Sequence, residues 1–278
     1  MSSLRDDLWH ARMKRAQRTG VALDERDAAM LEVELRHAHK MESLGQLSAG
    51  IAHEINTPMQ YIGDHLHYVR EALNGDPLTL ADRRDQLTHA LDAALEGITR
   101  VSRIIEAMRS FSHPSTRVVP CDLNRGVRDT LTVATNEYKL LADVKTDLGA
   151  LPPVLCNGGD LNQVFLNLVV NAAHAIELQT KLTGGRGLIM VKTRCDGDDV
   201  VVTISDNGCG IPEPIRHRVF DPFFTTKEVG KGTGQGLAIA RSIVVERHGG
   251  SLSFDTEVGK GTTFYIRLPI AGPAAGRN

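Results

Sequence analysis

Up to about residue 112 apolar positions recur at three- and four-residue steps, and beyond Pro114 they come in short β-branched or alternating runs broken by turn residues. The first pattern is that of amphipathic helix and the second that of an α+β domain. Within the helical part, Asn74-Gly75-Asp76-Pro77 is the strongest breaker, so one long helix is predicted to end near Ala72 and another to begin near Ala81. Together they form an αα-hairpin. The second helix carries Leu87, Leu91, Leu95, Ile98, Val101, Ile105 and Met108 as one stripe and stops near Phe111, before His113-Pro114. The stripes of the two helices exceed what one hairpin can cover, which predicts a homodimer joined as a four-helix bundle. Upstream, Leu31, Leu35, Ala38 and Met41 continue the seam at coiled-coil spacing, either as a route for a signal or as extra dimer interface.

In the second part, predicted strands are Arg117–Cys121, Asp143–Leu148, Gly187–Cys195, Val200–Asp206, Ser251–Thr256 and Thr262–Leu268, with hairpin turns at Gly197-Asp198 and Gly259-Lys260-Gly261. Helices are predicted over Leu123–Leu140, Leu161–Leu178 and Gly236–Arg247. The tail from Ala271, rich in Gly, Ala and Pro, is expected to be disordered. The expected division is 1–36 as a helical coiled-coil segment, 37–114 as the hairpin domain, 118–270 as the α+β domain and 271–278 as the tail.

Composition narrows the function classes. A net charge of −2, from 32 basic and 34 acidic residues mixed along 278, offers no case for wrapping a nucleic-acid backbone. Cys121, Cys156, Cys195 and Cys209 lack CxxC spacing in a chain much larger than a disulfide scaffold, which suits a reduced, cytoplasmic setting. The start, MSSLRDDLWHARMKR, lacks the apolar stretch of an export signal. The most apolar run, Val164 to Ile176, is interrupted by Asn167, Asn171 and His174 and is too short to cross a bilayer, so no membrane span is expected. A stimulus from outside the cell would then have to arrive through a separate sensor protein or domain.

Four segments of the second part carry candidate chemistry. After Gly158-Gly159, Asp160 reads as the N-cap of a helix with Gln163 three residues on, as in a capping box. Along that helix Gln163, Asn167, Asn171 and His174 fall on one face, while Val164, Leu168 and Ala172 fall on another. Alone the stripe could be a solvated face; two asparagines one turn apart in so apolar a stretch tilt it toward a ligand site, since buried amides need partners. Ile204-Ser205-Asp206-Asn207-Gly208-Cys209-Gly210-Ile211-Pro212 then places an acid at a strand end before two glycines, and alone is just a turn. Next comes Phe220-Asp221-Pro222-Phe223-Phe224-Thr225-Thr226-Lys227. Gly230-Lys231-Gly232-Thr233-Gly234-Gln235-Gly236 finally opens a helix, whose free N–H groups favour phosphate, although alone it could be a flexible loop. It is neither a Walker A loop nor a Rossmann fingerprint.

In this order the segments resemble the N box, first glycine box, F box and second glycine box of the ATPase domain shared by histidine kinases, gyrase, heat-shock chaperones and mismatch-repair proteins. The resemblance covers roughly residues 120 to 270 and implies a two-layer α+β sandwich of the histidine-kinase-like (Bergerat) type holding ATP and Mg2+. It implies that Asn171 and Asn167 bind the metal and phosphates, with His174 beside them in place of a more usual basic residue. Asp206 would hold the adenine amino group with Thr262 nearby. Gly208, Gly210, Gly232, Gly234 and Gly236, with Thr233, Gln235, Leu237 and Lys227, would close on the nucleotide, and Phe220, Phe223 and Phe224 would anchor the lid.

Ser43 to Pro58, SLGQLSAGIAHEINTP, is similar to the H box of sensor histidine kinases. At about 100° per residue Leu44, Leu47, Ile51, Ile55 and Ile62 cluster on one side of the helix and His53 lies about 180° away, facing outward. An ordinary surface histidine would look the same. A histidine nucleophile needs a neutral ring and a group to hold or take its second proton, and the adjacent Glu54 is the candidate base. Thr57, one turn on, could orient a water for phosphate removal, and Pro58 should bend or loosen the helix. The resemblance implies ATP-dependent autophosphorylation of His53 and transfer to an aspartate of a response-regulator receiver domain, with phosphatase activity toward that regulator left open. Two other functions compete. An ATP-hydrolysing clamp or chaperone would need a glutamate where Asn167 stands, and an amide is a poor general base; a nucleotide-binding scaffold or pseudokinase would dock a partner without chemistry.

Overall fold

The computed structural model describes residues 25–74, 83–112, 117–227 and 234–273. The chain divides into two units, Met1–Leu44 and Gly45–Asn278; in the first, the described residues are the opening turns of helix α1. Helix α1 spans Glu25–Asn74 and α2 spans Arg84–Ser112. The connecting residues 75–82, which hold most of the predicted breaker, the end of the tail at 274–278 and the segment before residue 25 lie outside the described residues, as do the side chains of the predicted upstream seam at Leu31, Leu35, Ala38 and Met41. Helix α1 runs without interruption through Pro58. Proline there leaves the Glu54 carbonyl without its usual donor four residues on.

Between the hairpin helices the inner seam is made of small residues. Ala90, Ala94, Ile104 and Ala107 are buried on α2, and Ile51, Ile62 and Ala72 on α1. The approach is close enough that a Cβ on Gly97 would stand 2.7 Å from Ile62 Cγ1. Much of the predicted stripe lies outside the hairpin, as its excess over what one hairpin can cover implies: Leu91, Leu95, Ile98 and Ile105 are exposed on α2, as are Met59, Tyr61, Leu66 and Leu73 on α1. Small residues win the intrachain seam because they let the backbones approach, and the large apolar residues are displaced to the outer face.

Beyond the hairpin lie β1 (Val119–Cys121), α3 (Leu123–Val133), α4 (Thr135–Tyr138), β2 (Ala142–Leu148), β3 (Val154–Cys156), α5 (Gly158–Thr183), β4 (Gly187–Asp196) and β5 (Asp199–Asp206). A 3-10 turn at Glu213–Arg218 follows, then α6 (Gly236–Arg241), which continues as a π turn over Ser242–Arg247, and finally β6 (Ser251–Glu257) and β7 (Gly261–Pro269). Five strands form one sheet in the order β2-β4-β5-β7-β6, antiparallel except for β2 against β4, and β1 pairs with β3 as a separate antiparallel ribbon. Alternation explains the layering. In β7 Thr262, Phe264, Ile266 and Leu268 are buried while the intervening residues are half-exposed, so one face of the sheet meets the helices and the other meets water. Helix α5 supplies the opposing layer with Leu161, Val164, Phe165, Leu168, Ala172 and Ile176, all buried. Each such side chain contributes about 1.5–3 kcal/mol of burial.

Three expectations change. The helix predicted over Leu123–Leu140 breaks at Ala134, because the Thr135 hydroxyl donates to the carbonyls of Leu131 and Thr132 and competes with the helical ladder. Strand β3, three residues after Pro152-Pro153, was too short to show a pattern. The N-cap of α5 is Asn157, whose Oδ1 accepts from the N–H groups of Gly159 (3.1 Å) and Asp160 (3.2 Å). Asp160 sits within the first turn instead, with its carboxylate 3.1 Å from Arg247 Nη1. Among the described residues no helix is long and apolar enough to cross a membrane.

Candidate functional site

The end of β5 delivers Asp206 to a cleft bounded by α5, the β6–β7 hairpin and the start of α6. Asp206 Oδ1 accepts from the N–H groups of Gly208 (2.9 Å) and Thr262 (3.3 Å). Burial outweighs those two hydrogen bonds and pushes its carboxyl up to about 6. Thr262 is buried, and its hydroxyl shares a 3.0 Å hydrogen bond with that of Thr256, which also receives the Ile211 N–H at 2.9 Å. Thr256 thus joins the loop after Asp206 to the β6–β7 hairpin, a role its place in a predicted strand did not reveal.

The glycines of this loop serve the protein before any ligand. A Cβ on Gly208 would come within 2.5 Å of the Ala175 backbone on α5, and one on Gly210, at φ +71°, within 2.3 Å of the Glu257 carbonyl. The loop therefore lies flat between helix and hairpin, where any side chain would force it out.

On α5 the predicted polar face holds, and its members differ in engagement. Gln163 is buried, and no hydrogen bond reaches its Nε2. Asn167 Nδ2 donates to the Gly236 carbonyl at 2.9 Å, tying the N-terminus of α6 to the middle of α5. Asn171 is half-buried on the same face, and among the described residues no hydrogen bond engages its amide. His174 Nδ1 accepts from the Lys227 ammonium at 2.5 Å. Burial, reinforced by that cation, brings the imidazole down to about 4, so the ring stays neutral; burial also lowers Lys227. Glu137 of α4 and Glu177 of α5 stand close enough to act on the Lys227 charge, and neither was expected at the site.

Of the lid, Gly234, Gln235, Gly236 and Leu237 are described and half-buried, whereas Gly232 and Thr233 lie outside the described residues, as do Gly230 and Lys231. The aromatic anchors separate. Phe220 packs on Phe254 with centroids 5.8 Å apart, and Phe224 lies under the Arg218 guanidinium at 4.5 Å. Phe223 is not an anchor: it is 73% exposed, at φ +66°, and its backbone is what a Cβ on Gly234 would strike at 2.4 Å.

On α1, His53 is exposed, while Ile51 and Ile62 of the opposite side are buried. The Thr57 hydroxyl donates to the His53 carbonyl at 2.9 Å, which occupies its proton within the helix. Glu54 differs from the expected free base. It is buried, held by Arg100 Nη2 of α2 at 2.7 Å and by Lys139 Nζ at 2.6 Å. Burial works against its charge, but the hydrogen bonds from Lys139 and Arg100 prevail and hold the carboxyl below the ordinary glutamate value. The one-residue step from His53 carries Glu54 about 100° around the helix, onto the side that meets α2. Two further contacts join the hairpin to the following layer: the Asn136 amide donates to the Gly50 carbonyl, and Arg125 pairs with Glu106 at 2.5 Å. Sequence gave no sign of Lys139, since a lysine near the end of a predicted helix carries no pattern that marks a distant partner.

His248, also missed, is buried at the end of the π turn. Its Nδ1–H donates to the Ile243 carbonyl at 2.7 Å and its Nε2 accepts from the Asn157 N–H at 3.0 Å, which joins the end of that turn to the cap of α5.

Comparison with known proteins covers both parts of the chain. Residues 156–272 match the family described as Histidine kinase-, DNA gyrase B-, and HSP90-like ATPase. Sporulation kinase E of Bacillus subtilis is 31% identical over 86% of this chain and 30% of its own length. The sensor kinase CckA of Brucella abortus is 33% identical over 89% of this chain and 26% of its own length. The signal transduction histidine-protein kinase AtoS of Escherichia coli is 32% identical over 85% of this chain and 36% of its own length. The chain thus spans between about a quarter and two fifths of the length of these relatives.

Proposed function

We propose that this chain carries the catalytic core of a sensor histidine kinase and is an ATP-dependent protein-histidine kinase that phosphorylates its own His53 and passes the phosphoryl group to an aspartate of a response-regulator receiver domain. The observation that carries this reading is an exposed histidine on α1 in the same chain as a nucleotide-type site in which Asn167 stands at the place of a hydrolytic glutamate. Where an ATP-hydrolysing clamp would need a glutamate, Asn167 stands, with its amide committed to the Gly236 carbonyl.

In this reading Asp206 accepts from the adenine amino group, with Thr262 beside it. Lys227, released from His174, answers the terminal phosphates with the N–H groups at the start of α6. The unengaged amide oxygen of Asn171 is a hard donor suited to Mg2+, and Asn167 lies one turn away. Held there by Asn171 and Asn167, Mg2+ would supply charge neutralisation on the phosphates. A ring nitrogen of His53 forms the P–N bond as the bond from the γ-phosphorus to the bridging oxygen breaks, and ADP leaves. Glu54 takes the second ring proton only after Arg100 and Lys139 let go of it. Thr57 orients water when the phosphate is removed. The outer apolar face of Leu91, Leu95, Ile98 and Ile105 meets its counterpart in a second copy, giving a homodimeric bundle, and the kinase acts in the cytoplasm on signals delivered by another protein or domain.

Incubation with γ-labelled ATP and Mg2+ tests the proposal. Acid-labile, alkali-stable label on the wild-type chain and none on His53→Gln is the expected result. Label that persists in His53→Gln overturns the site; nucleotide binding with no label on the wild-type chain favours a scaffold.

A further inference from the structure

Cys121 ends β1 and Cys156 ends β3 in the ribbon that stands apart from the main sheet. Val119 faces Cys156 and Cys121 faces Val154, so the two cysteines lie on one side of the ribbon, offset by two positions. The Cys121 thiol donates to the Cys156 carbonyl at 3.5 Å, which places the two side chains next to each other. Each precedes the cap of a helix: Asp122 caps α3 and Asn157 caps α5. Gly158, in the first turn of the 26-residue helix α5, lies against the Cys121 sulfur, which would stand 3.2 Å from a Cβ added there. We propose that Cys121 and Cys156 form a peroxide-responsive dithiol that closes to a disulfide, stapling β1 to β3 and joining the starts of α3 and α5.

Chemistry divides the work between the two sulfurs. Cys156 is fully buried, and the neighbouring Cys121 together with that burial pushes its thiol up, so it keeps its proton. The neighbouring Cys156 lowers the half-exposed Cys121 against the cost of burial, with the Gly158 backbone assisting, which favours its thiolate. The Cys121 thiolate attacks a peroxide oxygen; the S–O bond forms, the O–O bond breaks and hydroxide leaves, giving a sulfenic acid. The Cys156 sulfur then attacks that sulfur, the S–S bond forms, the S–O bond breaks, and the departing hydroxide takes the Cys156 proton as water. Two thiols and one hydrogen peroxide give one disulfide and two waters. Closure to about 2.05 Å requires the strands to shift slightly. Strand β1 can follow, because it is three residues long and pairs only with β3 among the described residues. The remaining thiols are differently placed: Cys195 is exposed with its sulfur toward the Ala150 carbonyl, and burial pushes Cys209 up.

The staple stands independently of phosphotransfer and is read without any activity assay. The full chain is treated with a small excess of hydrogen peroxide, catalase is added, the protein is denatured and alkylated, and its peptides are mapped by mass. The expected product is a linked Cys121–Cys156 peptide pair two hydrogens lighter than the sum of its parts, with Cys195 and Cys209 alkylated and dithiothreitol reversing the link. Closing a loop of this size is expected to raise the melting temperature by about 5–10 °C. Cys121→Ser and Cys156→Ser should show no such rise. Both cysteines recovered alkylated, Cys121 driven to sulfinic acid with Cys156 untouched, a link to another cysteine, or a link with no thermal shift would each overturn the proposal.

Discussion

His53 and Glu54 are neighbours in sequence and opposites in circumstance, one exposed and the other buried between two cations. The ion pairs depress the Glu54 carboxyl, so they stabilise the fold above its ordinary value of 4.5 and that contribution is lost as pH falls through the lower folded value. Glu54→Gln should therefore lower the denaturant midpoint at pH 7, with the difference from wild type vanishing toward pH 3. An unchanged midpoint at pH 7 would show that the clasp is loose in solution. If Glu54 also serves as the base, the same variant should slow labelling of His53 by about 100-fold. Asp206 has the opposite sign. Its carboxyl is raised to about 6, so on lowering the pH from 7 the native state takes up its proton before the unfolded chain does and gains stability. If Asp206 accepts from adenine as proposed, it must be charged to do so, and ATP affinity should fall as pH drops through about 6. Asp206→Asn should weaken binding about 10- to 100-fold at pH 7 and flatten that profile, as read by calorimetry.

At the scale of elements, the nucleotide cleft depends on how closely a loop can lie against a helix. Gly208→Ala must push the loop off the Ala175 backbone and should cost about 1–3 kcal/mol, lowering both melting temperature and nucleotide affinity. Gly63→Ala makes the contrast: nothing lies within 4 Å of the added methyl on α1, so it should raise stability by up to about 1 kcal/mol. Equal effects of the two substitutions would remove the close-approach explanation. Helix α5 links the layers, since its cap is tied to His248, its first turn to Arg247 and its middle to Gly236. A change at one end of α6 is therefore carried to both the cap and the polar face of α5.

For the whole molecule the decisive surface is the outer face of the hairpin. Leu95 is 60% exposed and Ile98 49%. Several side chains of that size along two helices are more apolar surface than a lone chain keeps in water. Light scattering should give twice the chain mass for the wild type. The pair Leu95→Glu and Ile98→Glu should give the single mass while ATP binding persists, because neither residue touches the cleft. A monomeric wild type would sink the bundle.

Much of this was legible in the chain. Periodicity separated the helical part from the α+β part, because side-chain burial repeats at 3.6 residues in one and at 2 in the other. The order of motifs marked the cleft, and helical phase alone put His53 outside. Gly197-Asp198 joined its strands as expected, since a two-residue turn is set by local backbone chemistry. The partners were decided only by tertiary structure. Phase gave α2 an apolar stripe but not its direction, and the small-residue seam of Ala90, Ala94 and Gly97 turned that stripe outward. Asn157 displaced Asp160 as cap, Lys139 reached Glu54 across 85 residues, and Cys121 met Cys156 across a ribbon too short to read. The pattern of one segment records which side of it avoids water, whereas an ion pair or a thiol contact depends on two distant segments arriving together, and no local regularity encodes that.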